Sequence, residues 1–249
     1  AASNTFCTFD NNGAITALPG TERIGFLTRG TMELSPTMQA YAELGLSKVD
    51  SVQTFTRPFF NTTALTPTPL GLKPFSYTIN FAPGVAGNPF STLARYARAL
   101  NDLGTRDTSI GSDSMRVLAG LKYSFGSWDG DSAIGWSQNK VRSDGSNRLS
   151  IVGVSSAFGI TSAAQPPVPT STSATYNLNN SSLNSAAARD ALRIGVPRTS
   201  KSELFFADTR LSTEFGQLPG GPVGLAVGAE YRSEKIADVP SQAAQAGQI

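Results

Sequence analysis

The stretch Val223-Gly224-Leu225-Ala226-Val227-Gly228-Ala229-Glu230-Tyr231-Arg232-Ser233-Glu234 decides the fold. Its odd positions carry Val223, Leu225, Val227, Ala229 and Tyr231. Its even positions carry Gly224, Ala226, Gly228, Glu230, Arg232 and Glu234. A period of two sends successive side chains to opposite faces of a β-strand. One face is therefore apolar and the other small or charged.

The same period recurs upstream. From Arg23 to Leu34, Ile24, Phe26, Met32 and Leu34 oppose Arg23, Arg29 and Glu33. From Met115 to Phe125, Met115, Val117, Ala119, Leu121, Tyr123 and Phe125 oppose Arg116 and Lys122. From Glu203 to Phe215, Phe205, Ala207, Leu211 and Phe215 oppose Asp208, Arg210, Ser212 and Glu214. Weaker alternation marks Met38 to about Val52 and Ser132 to about Arg142. Ser35-Pro36-Thr37, Gly126 to Gly130 and Gln217 to Gly221 have the composition of tight hairpin connections. The expected fold class is all-β: an antiparallel up-and-down sheet of about six long strands, paired as hairpins at about 22–54, 114–142 and 202–236.

Between the hairpins the connections are long, about 55–112 and 143–200. Loops of this length are uncommon in compact domains and are usually functional. Short helices are expected at Ser91 to Leu103, ending at Gly104, and at Ser185 to Ile194, ending at Gly195 before Pro197. Thr161 to Ser173, rich in Pro, Ser, Thr and Ala, reads as irregular.

Short turns at one end, long loops at the other and long amphipathic strands are the layout of an outer-membrane β-barrel. The apolar runs from Ile24 to Leu34, Met115 to Phe125 and Phe205 to Phe215 each span about ten residues. At ~3.3 Å per residue and a tilt of ~40° this covers about 25 Å, the height of a lipid-facing band. Phe125 and Phe215 lie beside the short turns, and Phe205 and Tyr231 near the opposite rim, where aromatic girdles sit. A soluble β-sandwich, with one face on a core and one in water, has similar alternation and stays open as the alternative.

Composition bears on the choice. The chain of 249 residues is 39% hydrophobic and 15% charged, whereas an average soluble domain carries roughly 25% charge. A wall facing lipid accounts for that deficit. With His 0 and Cys 1, imidazole-based catalysis, His-ligated metals, Cys-type zinc sites and an internal disulfide are excluded. No enzymatic role and no cofactor are expected. A net charge of +2 offers no case for nucleic acid. The start, Ala1 to Cys7, lacks the basic and apolar regions of a signal peptide and fits mature or truncated material.

In a barrel the polar face would line the lumen. Its candidates are Arg23, Arg29, Glu33, Glu43, Arg116, Lys122, Arg210, Glu230 and Arg232, with Asp208, Glu214 and Glu234 beside them. Mixed signs predict cross-strand ion pairs or contacts to something inside. The first long loop is rich in aromatics, and Phe59, Phe60, Phe75 and Tyr77 are candidates for an external ligand-capture surface. The competing expectation is that the loop aromatics, Phe81, Phe90 and Tyr96 included, pack on one another.

Leu218 to Glu234, LPGGPVGLAVGAEYRSE, resembles a hairpin of TonB-dependent receptors. Cys7 to Asp10, Thr21-Glu22-Arg23 and Ala40-Tyr41-Ala42-Glu43 are similar to the early barrel of that family, and Met115 to Trp136 fits its next hairpin. The resemblance implies a 22-stranded outer-membrane barrel around an N-terminal plug. Such receptors import siderophores, vitamins or glycans with energy delivered through TonB. Residues 1–249 would then be part of such a barrel, from a Gram-negative outer membrane. The partners would be outer-membrane lipid, the plug, the remaining strands and the TonB complex. About six strands fall short of the roughly eight that a closed single-chain barrel needs. In this family Cys7 could pair with an upstream cysteine; a free thiol is the equal alternative. A porin-like or autotransporter barrel, and a soluble secreted β-rich binding module, are the other classes.

Minor motifs add little. Asp10 to Gly13 lacks calcium-loop spacing and reads as a turn. Gly224 and Gly228 lie on one strand face and leave room in a lumen. Asn61-Thr62-Thr63 matches a glycosylation sequon that matters only in a eukaryotic secretory context.

Overall fold

The computed structural model describes residues 12–59, 63–68, 71–76, 79–85, 88–96, 99–159, 170–171 and 174–249. Six long strands dominate: β1 Gly20–Ser35, β2 Met38–Phe55, β3 Arg106–Phe125, β4 Trp128–Leu149, β5 Arg193–Leu218 and β6 Gly221–Val239. They form one antiparallel sheet in which each strand lies beside its neighbours in this sequence order. The fold is mostly antiparallel β, consistent with the all-β class that the alternation predicts.

Turns of two residues join the hairpins, at Pro36-Thr37, Gly126-Ser127 and Pro219-Gly220. Each sits where the sequence places Pro, Gly or Ser. The strands outrun their amphipathic stretches at the other end. β3 starts at Arg106, β4 runs to Leu149 and β5 starts at Arg193, so the loops are shorter than 55–112 and 143–200. Hydrogen-bonded partners carry these extensions after the hydrophobic pattern has faded.

Above that end sits a small cap. It contains α1 Ile151–Ala157, α2 Ala186–Leu192 and a three-stranded sheet of Ile79–Phe81, Ala94–Tyr96 and Thr170–Ser171; strands Thr63–Thr68 and Gly71–Ser76 form a separate hairpin. Ser150 and Ser185 cap α1 and α2 by accepting from the backbone N–H groups of Gly153 and Ala188, each at 3.1 Å. The tail turns back through α3, Gln242–Gln245, and its Gln248 carbonyl accepts from Ile151 N–H at 2.9 Å.

The expected helix at Ser91 to Leu103 is not formed. Ala94–Tyr96 is a strand, and only Asn101–Leu103 makes a turn of 3-10 helix. Buried Asn88 explains why: its side-chain amide donates to the carbonyls of Phe81 at 2.9 Å and Thr92 at 2.8 Å. That clamp holds the chain open where a helix would start. The expected helix at Ser185 to Ile194 exists as α2, but β5 takes over at Arg193 and continues through Gly195 and Pro197. Within Thr161 to Ser173, only Thr170–Ser171 lies among the described residues.

The buried residues concentrate in the cap. Ile79, Phe81, Leu103, Val154, Phe158, Tyr176 and Leu192 are almost wholly enclosed. Phe158 meets Phe81 edge-on at 5.6 Å and Tyr176 at 6.1 Å. The sheet is the opposite case. Ile24, Phe26, Met32, Phe125, Ile134, Phe215, Val227 and Tyr231 are all exposed.

Candidate functional site

Residues paired across an antiparallel register lie on the same face. One row runs Arg29, Glu43, Leu118, Gly135, Phe206, Arg232 from β1 to β6. A second runs Glu33, Gln39, Lys122, Asp131, Arg210, Gly228. Glu230, Arg116 and Arg23 stand in the parallel rows of Tyr41, Gly45 and Val49. Thus all the predicted polar-face residues, Arg23 through Arg232, occupy one face of the sheet.

Several of them pair. Arg29 donates to Glu43 at 2.9 Å, Arg232 meets Glu230 at 2.8 Å and Glu234 at 3.8 Å, and Arg210 meets Asp208 at 3.8 Å. Arg23, Glu33, Arg116 and Lys122 form no ion pair among the described residues. Tyr41 ties the charges together. Its ring lies 5.0 Å from the Arg29 guanidinium, and its hydroxyl donates to Asp131 at 2.8 Å. The network thereby crosses from β1 to β4. Tyr41 reaches that far because its ring lies over Gly120, where a Cβ would come within 2.2 Å of it. Phe206 covers Gly135 in the same manner, at 2.3 Å. These are cross-strand pairs of aromatic and glycine, a device that pins register.

The opposite face is an apolar belt. Ser and Thr hydroxyls within it satisfy one another: Tyr123 and Ser132 share a hydrogen bond at 3.1 Å, Ser132 and Thr209 at 2.8 Å. Toward the cap the belt ends on a row of Lys48, Asp113, Lys140 and Lys201. At the turn end it carries Tyr123, Phe125, Trp128 and Phe215; Phe205 and Tyr231 touch edge-on at 6.3 Å further up.

The belt runs obliquely to the hydrogen bonds. Its span on β1, Ile24 to Leu34, is centred in the row that reaches β6 at Arg232. Its span on β6, Val223 to Tyr231, is centred on Val227, five residues away after five strand steps. The centres on β3 and β5, Gly120 and Arg210, stand in rows that reach β6 at Glu230 and Gly228, two and four residues along. One residue per strand, with ~3.3 Å rise and ~4.8 Å strand spacing, means strands tilted by about 35° from the normal to the belt.

A cavity of about 410 Å³ opens where the polar face meets the cap. Pro58, Phe59, Arg106, Arg148, Leu149, Val196 and Ile249 line it. Arg106 follows the β3 alternation onto the polar face, opposite Phe55. Arg148 does not follow strict alternation. A bulge sets two steps of β5, Ile194 to Val196, against three of β4, Gly145 to Arg148. The extra residue flips Arg148 onto the polar face. Asn147 absorbs the kink with φ of 52° and donates to the Thr105 carbonyl at 2.6 Å. Thr56 holds Arg106 through its carbonyl at 2.8 Å and its hydroxyl at 3.0 Å. Burial first, then the charge of Arg148, hold the Arg106 guanidinium below the usual arginine range. This group lies beyond the belt, at the cap end of β3.

Of the four loop aromatics, Phe59 is exposed and lines this cavity. Phe75 lies in the strand Gly71–Ser76, with its side chain outside the described residues. Phe60 and Tyr77 lie outside the described residues, as do Cys7, Asp10 and most of the sequon. Phe81 packs in the cap core and Phe90 is exposed. Arg106, Arg148, Tyr41 and Asp131 escaped sequence reading as site residues. Gly145-Ser146-Asn147 inside a strand is the signal that marks the bulge.

No protein-family model matches the chain, and no curated protein and no solved structure matches it either. No helix among the described residues is long and apolar enough to cross a membrane, which has no bearing on crossing by strands.

Proposed function

We propose that the chain is a wall segment of a TonB-dependent outer-membrane transporter, part of the import route for large nutrients of the siderophore, vitamin or glycan class. Its belt faces outer-membrane lipid, and its charged face lines the lumen toward a plug. It carries no enzymatic chemistry, and TonB acts through the whole transporter.

The observation that carries this reading is the oblique belt. A single apolar face, rimmed by aromatics and then by lysines, crosses strands that tilt about 35° from its normal, within the ~35–45° of membrane barrels. A sandwich sheet would instead bury that face under a second sheet. Among the described residues nothing long covers it. Two further features support the reading: tight turns at one end with elaborated loops at the other, and the Leu218 to Glu234 hairpin. Strands β1 and β6 each have one neighbour here, so closure requires more strands on both sides. An open edge of that length invites pairing.

Membrane fractionation and the flanking reading frame test it together. The expected results are recovery with the outer membrane, a plug with a TonB box upstream and about sixteen further strands downstream. A passenger domain upstream would favour an autotransporter. Clean recovery in the soluble fraction without detergent would favour a secreted β-rich module and end the barrel reading.

A further inference from the structure

We infer that the cavity under the cap binds an acidic small molecule, one that joins an oxyanion to an apolar group. Two guanidinium groups, Arg106 and Arg148, line one cavity of about 410 Å³ with no acidic side chain beside them, and the α-carboxylate of Ile249, which shares the lining, forms an ion pair with neither among the described residues. Like charges brought together in a half-buried place repel unless an anion sits between them. Arg106 is anchored from behind by Thr56. Arg148 accepts no such anchor: among the described residues its contact is the Phe55 ring, 6.0 Å from its guanidinium carbon. Its planar fork is left for an oxyanion, the geometry that arginine recognises with paired hydrogen bonds.

The backbone is shaped for this. Without the bulge at Gly145 to Arg148, Arg148 would point to the outer face. Asn147 adopts an unfavourable φ of 52° to turn it inward. Bulges that re-aim a side chain are found beside functional sites. Phe59, Leu149 and Val196 supply apolar wall next to the guanidinium groups, which selects an amphiphilic acid over a bare ion. The role of this pocket as a capture point rests on the transporter reading. The binding itself does not.

The test titrates the full chain in detergent micelles with phenyl phosphate, inorganic phosphate and phenol, following the arginine Nε–H resonances. Phenyl phosphate is expected to bind at least tenfold more tightly than phosphate, with phenol not binding, and to shift the Arg106 and Arg148 signals. R148Q should weaken phenyl phosphate at least tenfold, and R210Q, elsewhere on the polar face, should leave it unchanged. R148K keeps the charge and loses the fork, so it should fall between; it carries the test if R148Q does not fold. Equal weakening by R210Q, or unchanged binding in R148Q or R148K, would overturn the proposal. Binding by a chain that fractionates as soluble would uphold the pocket and remove the transporter role. Outer-membrane recovery without binding would do the reverse.

Discussion

The cap and the sheet obey different rules for apolar side chains. In the cap, Phe81, Phe158 and Tyr176 are enclosed and pack edge to face, as in any protein folded in water. In the sheet, Ile24 at 77% and Tyr231 at 63% exposure stand outward in ordered rows. Both regions are built by one chain of unexceptional apolar content. The difference lies in where the apolar atoms are sent, inward in the cap and outward on the sheet. Water-exposed apolar patches on monomers rarely exceed a few hundred Å²; the proposed transporter reading sets the belt across six strands against lipid.

Breaking the cap should give the largest effect. Phe158→Ala removes a fully enclosed ring and is expected to cost about 3–5 kcal/mol, read as faster hydrogen exchange at the Val154 and Phe158 amides. The amides of β3 to β5 should keep their protection. Equal loss in both regions would show that cap and sheet unfold as one unit.

The sheet should answer to charge on one face only. Val227→Arg at the centre of the belt is expected to lower stability in lipid vesicles by about 2–4 kcal/mol. Ala226→Arg, one residue away on the polar face, should stay within about 0.5 kcal/mol. Similar losses at both positions would erase the distinction between the faces.

Gly135→Val is the next step down. A Cβ there meets the Phe206 ring at 2.3 Å, so the ring must leave its place at a cost of about 1–3 kcal/mol. Denaturant unfolding in the same vesicles measures it, and Phe206→Ala in the same chain should remove most of the added penalty.

The smallest effect is a titration beyond the belt, at the cap end of β6. Hydrogen bonds from Arg198, through Nε at 2.8 Å, and from Ser200, at 2.7 Å, hold the Asp238 carboxyl down at about 2. Because the folded value is depressed, the stabilisation is complete above the ordinary value of about 3.9 and is lost as pH falls through about 2. Carboxyl carbon shifts should titrate at about 2, and Arg198→Gln should raise the midpoint toward the ordinary value. A midpoint already at the ordinary value would remove the pair.

What the sequence makes legible follows from what its pattern encodes. Alternation depends only on neighbouring residues, so strand faces are readable: Arg23, Glu43, Lys122 and Arg232 fall together as expected. The obliquity of the belt needs the register of every pair, which one strand does not carry. The β3 and β4 extensions toward Arg106 and Leu149 have no apolar face to announce them. Arg148 is the clearest failure of alternation, because one inserted residue reverses its face. The Ser91 to Leu103 helix signal lost to the side chain of Asn88, whose hydrogen bonds to the nearby Phe81 and Thr92 carbonyls override backbone propensity.

The most direct measurement is spin-label accessibility along β6, one label at a time from Val223 to Arg232, in lipid vesicles. Membrane contact predicts a strict two-residue alternation: Val223, Leu225, Val227, Ala229 and Tyr231 reached by oxygen from the bilayer, and Gly224, Ala226, Gly228, Glu230 and Arg232 by a water-soluble nickel reagent. Uniform access of the nickel reagent to both sets would contradict it.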